Sequence, residues 1–295
     1  MALDLRDRIA GKLRNLTAAT LATGDRQAKV VAVASSKGGV GKTTTAVNLS
    51  VALARLGLDV LLVDLDPQAH VASSLGVAGQ GTAGPLSDVL LGRKREVCEV
   101  SSPYGDQPGL SLAGSDKQLA ETETILSAKI GKELILAGAL ATTRTHHDII
   151  VLDCPPNLGT LTLNALCAAD WLLVPSDMSV LALEGVGDIL GAVETVRDRL
   201  GRSLDVLGIV ATRVDRRATR TNATIEQGFN DLFGQKLLAT RIPQSSALNK
   251  AHMAGRSIFA ADRRSAGAQA YAELAQEIAE KLAVKIVQAT VPASA

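Results

Sequence analysis

Apolar residues in this chain fall into short continuous runs, separated by stretches where they recur every three or four positions. The run Val30-Val31-Ala32-Val33-Ala34 shows no polar alternation, so it reads as a strand buried on both faces. Similar runs lie at 59–64, 109–113, 149–153, 170–175, 204–212 and 236–242. Helical spacing between them predicts helices over 43–56, 116–140 with a break near Gly131, 157–168, 178–200, 221–233 and 268–288. Residues 76–108 are rich in Gly, Ser and Pro, and only a short helix near 86–91 stands out, with loop expected elsewhere. Strands alternating with helices predict an α/β fold, a mostly parallel twisted sheet with helices on both faces. Ahead of the first strand, Leu5, Ile9, Leu13 and Leu16 recur at helical spacing among Arg6, Arg8, Lys12 and Arg14. The expected division is a basic amphipathic helix and linker at 1–28, one α/β domain at 29–289 and a tail at 290–295.

The polar stretches that end the strands carry the candidate chemistry. After the first strand comes Ser35-Ser36-Lys37-Gly38-Gly39-Val40-Gly41-Lys42-Thr43-Thr44, followed by the helix at 43–56. Strand, glycine loop and helix form the context that a phosphate-binding loop requires, so a P-loop NTPase is expected. The glycines let backbone N–H groups turn inward around a polyphosphate, and the helix N-terminus adds partial positive charge. Lys42 is placed to reach the β- and γ-phosphates, and the Thr43 hydroxyl to ligate Mg²⁺. The common form of this loop has glycine six residues before the lysine; Ser36 stands there, and a second lysine, Lys37, precedes the glycines.

Asp64 and Asp66 close the second strand at its C-terminal end, where ligands bind in this fold class, and at that spacing they share a side. Ile149-Ile150-Val151-Leu152 runs into Asp153, a candidate Mg²⁺ ligand through water. Pro155-Pro156 then stops the strand and stiffens the loop where a γ-phosphate sensor belongs. His146 and His147 are adjacent, so on a strand they face opposite ways, and no third ligand stands nearby; no metal site is expected there. Cys154 has no base partner in view, so no catalytic thiol is expected.

Composition narrows the partners. With six aromatic residues the core must be built from Ala, Val, Leu and Ile, and the composition argues against platforms that stack single-stranded bases. Cys98, Cys154 and Cys167 form no CxxC pair and no even disulfide set, which fits a reducing cytosol. The charged start (Asp4, Arg6, Asp7, Arg8) argues against a signal peptide, and no apolar run approaches a membrane span, so a cytoplasmic protein is expected. Net charge is +1, but residues 197–264 hold 13 Lys/Arg against 6 Asp/Glu, or +7, leaving −6 elsewhere. That asymmetry predicts a basic face with an anionic partner. Arg216, Arg217 and Arg220 lead into the helix at 221–233; Lys250, Arg256, Arg263 and Arg264 follow the last strand. Such a cluster without aromatics would meet a duplex through its phosphates rather than its bases.

Three motifs in order and spacing, Lys37 to Thr44, Asp64-Leu65-Asp66-Pro67-Gln68 and Asp153-Cys154-Pro155-Pro156, resemble the ParA/MinD ATPases, and among them the ParA/Soj partition ATPases with their deviant Walker A loop. The resemblance spans about residues 29–285. It implies ATP and Mg²⁺ as cofactors and a homodimer in the ATP state. Lys37 would contact the partner subunit's ATP while Lys42 binds phosphate in cis. Asp66 would position the attacking water, with Asp64 and Asp153 supporting the Mg²⁺ shell. Thr212 and Asp215, and the backbone at Pro243 and Ser245, would lie near the adenine. The family further implies binding to double-stranded DNA without sequence preference, nucleoid association, and a weak ATPase stimulated by a ParB-like or cargo adaptor protein.

Arg220-Thr221-Asn222 resembles the Arg-Thr-Asn of chromosomal members, whose arginine contacts DNA. Two departures leave the cargo open between plasmid, chromosome and protein assembly. Gln244-Ser245-Ser246-Ala247 replaces Arg-Asn-Val-Arg, and Asp262-Arg263-Arg264-Ser265 replaces Asp-Pro-Arg/Lys-Ser. The alternative is a MinD-like, membrane-associated ATPase controlling division site or polarity, which would need a C-terminal amphipathic helix. Here Ile278, Leu282 and Ile286 form the stripe, but alanines dominate and Lys281 and Lys285 make a thin cationic flank, so docking into the core is expected and a membrane partner is not. An electron-transfer ATPase like the nitrogenase iron protein would need cluster cysteines that this chain does not show.

Overall fold

The structure is a computed structural model that describes residues 27–77, 83–177, 179–215 and 219–284; side chains at 180, 181, 219–224 and 226 lie outside that set. The expected N-terminal helix and the C-terminal tail also lie outside the described residues. Eight strands are described: β1 (Lys29–Val33), β2 (Val60–Asp64), β3 (Ser102–Pro103), β4 (Leu110–Ala113), β5 (Ile149–Asp153), β6 (Trp171–Asp177), β7 (Asp205–Val214) and β8 (Leu237–Pro243). They form one sheet in the order β3-β4-β2-β5-β1-β6-β7-β8. Every pairing is parallel except that of β3, whose two residues run antiparallel to β4.

The helices are α1 (Lys42–Arg55), α2 (His70–Ser74), α3 (Leu86–Leu90), α4 (Leu119–Ser127), α5 (Ile135–Ala139), α6 (Thr160–Ala168), α7 (Val180–Leu200), α8 (Thr219–Phe233), α9 (Ser246–Met253), α10 (Ile258–Ala261) and α11 (Ala266–Lys281). They cover both faces of the sheet, which explains the continuous apolar runs. In β1, Val30 and Ala32 enter one core with Leu61, Ile150, Leu166 and Ile189. Val31 and Val33 enter the other with Leu53, Leu62, Val151 and Leu274. Successive residues point to opposite faces, so a strand serving two cores has no polar position to spare.

The expected break in 116–140 is present: α4 ends at Ser127, Gly131 takes φ 70°, and a 3₁₀ turn (Lys132–Leu134) leads into α5. The helix expected from 157 begins later, at Thr160, because the Asn157 side chain accepts the Gly159 N–H at 3.0 Å and holds a turn ahead of it. In 76–108 the structure adds a 3₁₀ turn (Val97–Val100) and the short β3 to the expected helix. The helices α2, α9 and α10 were not anticipated; at eight residues or fewer they carry too few periods to read. The final helix, expected over 268–288, ends at Lys281; as its alanines and thin cationic flank implied, it docks in the core, with Ile278 and Leu282 buried among residues of α1 and β8, while Ile286 lies outside the described residues.

Strand order places the site. From β1 the chain crosses to β2 on one side of β5, while β6, β7 and β8 build outward on the other side of β1. The crevice at such a reversal opens at the carboxyl ends of the strands, where the loop after β1 stands.

Candidate functional site

The loop between β1 and α1 turns on two left-handed glycines, Gly39 at φ 74° and Gly41 at φ 88°. A Cβ built on Gly38, Gly39 or Gly41 would meet no atom within 4 Å. The glycines are therefore needed for their backbone angles and for a bare inner face, not to avoid a protein clash. Gly41 is also the N-cap residue of α1 and supplies no side-chain cap, so the first-turn amides of the helix stay open to an anion.

Two lysines take different places. Lys42 is buried at 7% exposure, and its Nζ donates to the Lys37 carbonyl at 3.0 Å. Burial lowers its pKa, while the nearby Asp153, Cys154 and Asp66 act in the opposite direction. Lys37 is half-buried and points away from the loop. Its Nζ donates to both Asp177 carboxylate oxygens at 3.0 Å and to Ser179 Oγ at 3.2 Å. The loop is held against α7 at the same place, where Ser36 Oγ donates to the Gly185 carbonyl at 3.0 Å.

Asp153 and Asp66 act on Lys42, and a third carboxylate, Asp64, stands next to those two. Register pairs Asp64 at the end of β2 with Asp153 at the end of β5. Asp64 is fully buried, and its two oxygens accept the Asp66 N–H at 3.0 Å and the Val71 N–H at 3.2 Å. It thus ties the strand end to the start of α2. Burial, followed by the Asp153 charge, pushes its pKa well above the usual carboxylate range. Asp66 is also buried; it accepts the Gln68 N–H at 2.9 Å and lies 3.8 Å from His70 Nδ1. Asp153 is the odd one. It is fully buried, and neither carboxylate oxygen finds a hydrogen-bond partner among the described residues. Burial pushes its pKa up to about 7, with the Asp66 charge adding to the rise. The neighbouring Thr43 hydroxyl and Lys42 pull the other way, the hydroxyl without completing a hydrogen bond.

An orphaned, buried carboxylate next to a threonine hydroxyl and an open amide cradle fits a hard divalent cation shared with a phosphate. The described residues contain no cluster of three His, Cys, Asp or Glu able to hold a metal alone. A cation here would therefore draw most of its ligands from phosphate and water, as Mg²⁺ does. Burial, reinforced by Asp153, raises the Cys154 thiol far above its usual range, so no thiolate stands ready.

Beyond the loop, a cleft of about 250 Å³ is lined by Gly39, Gly41, Thr44, Thr212, Pro243 and Ser245. Thr212 is buried and spends its hydroxyl on the Val40 carbonyl at 2.8 Å. Asp215 is exposed at the end of β7 and is not part of the lining. Tyr271 of α11 and Arg213 also line the cleft; neither stood out in the sequence, Tyr271 because it comes from a distant helix and Arg213 because no motif marks it. The acceptors Asp177 and Ser179 were missed likewise, since only the meeting of β6 and the loop reveals them.

The basic candidates are spread wider. Lys250, Arg256, Arg263 and Arg264 are all exposed, on α9, α10's approach and the turn ahead of α11. Arg216 and Arg217 lie outside the described residues, as does the Arg220 side chain in the first turn of α8.

Comparison with known proteins gives the same picture. A family model described as an AAA domain matches residues 28–206. The sporulation initiation inhibitor protein Soj of Bacillus subtilis is 36% identical over 251 residues, covering 85% of this chain and 98% of Soj. The chromosome partitioning protein ParA of Caulobacter vibrioides is 37% identical over 255 residues, 85% of this chain and 93% of that one. Among solved structures, a cobyrinic acid a,c-diamide synthase from Mycobacterium smegmatis, with bound ATP analog and magnesium, superposes with a TM-score of 0.72 at 34% identity, covering 84% of this chain and 93% of the other.

Proposed function

The chain belongs to the ParA/MinD family of ATPases, and on that premise we propose that it is a ParA-type switch that dimerises on ATP, holds duplex DNA without sequence preference in that state, and lets go on hydrolysis. One observation carries the nucleotide half of this reading: Asp153, buried and unpartnered, beside Thr43 and the open loop. ATP enters with its distal phosphates on the loop amides and the Lys42 ammonium. Thr43, with Asp153 through water, would hold Mg²⁺, and the ion would supply charge neutralisation on the phosphates. Asp66 orients the attacking water. Asp64, committed to two backbone amides, keeps Asp66 and the start of α2 in place and would support the Mg²⁺ shell. Pro243 and Ser245 offer the base-side end of the cleft, with Thr212 bracing the loop.

Lys37 serves the partner subunit's nucleotide. In a single chain it is tied to Asp177 and Ser179, so it exchanges those partners for a phosphate when two chains meet. A dimer brings two copies of the basic face, with Lys250, Arg256, Arg263, Arg264, Arg216, Arg217 and Arg220, onto one duplex. A ParB-like or cargo adaptor protein then accelerates a slow hydrolysis. The partitioning proteins among the relatives favour this reading, as does the excess of basic residues in the C-terminal third. The membrane alternative is disfavoured because Ile278 and Leu282 are buried in the core, and no described helix is long and apolar enough to cross a membrane. Sedimentation with ATP and with ADP tests the switch. Asp66→Ala, slow to hydrolyse, should sediment as a dimer only with ATP. A monomer with both nucleotides, despite bound ATP, would refute it.

A further inference from the structure

At the carboxyl end of β7, Arg213 adopts φ 54°, in the left-handed region that favours glycine. The ladder is irregular at the same place. Ala211 stands opposite Arg241 and Val214 opposite Pro243, so three steps along β7 match two along β8. A bulge beside a site re-aims a side chain, and backbone strain kept at a site asks for a use. The effect here is to turn Arg213 back over the glycine loop. Its Nη1 donates to the Gly39 carbonyl at 3.1 Å, one residue before the carbonyl that Thr212 takes. Arg213 is exposed and lines the same cleft as Gly39, Thr44 and Ser245.

We propose that Arg213 is a nucleotide-contact residue whose guanidinium binds the phosphate next to the ribose and bridges it to the glycine loop. The proposal rests on the nucleotide reading above. On that reading Lys42 and Thr43 take the distal phosphates beside the glycine-loop end of the cleft, and Pro243 to Ser245 at its other end face the base. Arg213 stands between them, where the anionic group of a nucleotide is its first phosphate. A guanidinium presents five donors in a rigid fork, so one can stay on Gly39 while others meet phosphate oxygens.

Titration calorimetry of ATP, ADP, AMP and adenosine against the wild type, Arg213→Gln and Arg213→Lys tests this. Gln keeps a neutral donor for Gly39 and removes the charge; Lys keeps the charge. Arg213→Gln should weaken ATP, ADP and AMP by a common factor of about ten, leave adenosine unchanged, and Lys should recover most of the loss. Equal binding by the wild type and Arg213→Gln overturns the proposal. So does a loss confined to ATP and ADP, the mark of a distorted loop, or a loss that includes adenosine, the mark of a base or ribose contact. A wild type that binds no ATP overturns the nucleotide reading itself.

Discussion

The carboxyl ends of β1, β2 and β5 and the basic stretch from α8 to α11 are both charged, yet they are built in opposite ways. The first buries a lysine and three carboxylates that neighbouring strands bring together, and hydrogen bonds to the backbone fix most of them. The second leaves Lys250, Arg256, Arg263 and Arg264 on the surface, where each side chain keeps its water. Burial makes the first site sensitive to single changes, because a buried charge without its partners is expensive. Exposure makes the second tolerant, because each phosphate contact adds a modest, salt-screened increment. The proposed switch would use both: one end that accepts a single ligand, and one that adheres to any duplex.

The contrast predicts graded effects. Lys42→Ala should be the most severe, lowering ATP affinity on the order of 100-fold by calorimetry, since it removes a charge-assisted contact and a cation that acts on Asp153. Unchanged affinity would remove Lys42 from the phosphate site. Asp153→Asn should split function from stability. It should abolish the Mg²⁺ dependence of ATP binding while raising the melting temperature of the free protein by a few degrees, because the orphaned charge is gone. A lower melting temperature would show that the carboxylate is satisfied in a way its surroundings do not reveal. On the basic side, Arg220→Glu should weaken duplex binding by about tenfold, lower the salt slope and leave ATP dimerisation intact; unaltered DNA affinity would move the interface elsewhere.

The smallest effect belongs to neither region. Glu277 on α11 accepts N–H groups from Ala239 and Thr240 and the Thr240 hydroxyl, tying that helix to β8. Burial alone would raise its pKa; these hydrogen bonds and Lys281 outweigh that and lower it. A carboxylate lowered on folding contributes stability that is present above its ordinary pKa and lost as pH falls through the lowered value. Glu277→Gln should therefore remove about 1 kcal/mol at neutral pH and flatten the acid limb of the unfolding curve. An unchanged acid limb would show the pairing to be idle.

The same contrast decides what the sequence could reveal. Lys37 to Thr44, Asp64 to Gln68 and Asp153 to Pro156 were legible because each is a local device, a loop or strand end whose chemistry follows from consecutive residues. The parallel strands were legible because burial on both faces writes itself as an unbroken apolar run. Asp177, Ser179 and Arg213 were not, since each acts on the glycine loop from 140 or more residues away and only the sheet order joins them. The role of Asp64 as the holder of two amides was hidden for the same reason: its companion Val71 sits on a helix of five residues, too short to read.

Duplex DNA binding measured with ATP, with ADP and without nucleotide, across a salt series, tests the account most directly. Binding is expected with ATP alone, with the logarithm of affinity falling steeply and linearly as the logarithm of salt rises. Equal binding in all three states, or none under ATP at low salt with the dimer formed, would contradict it.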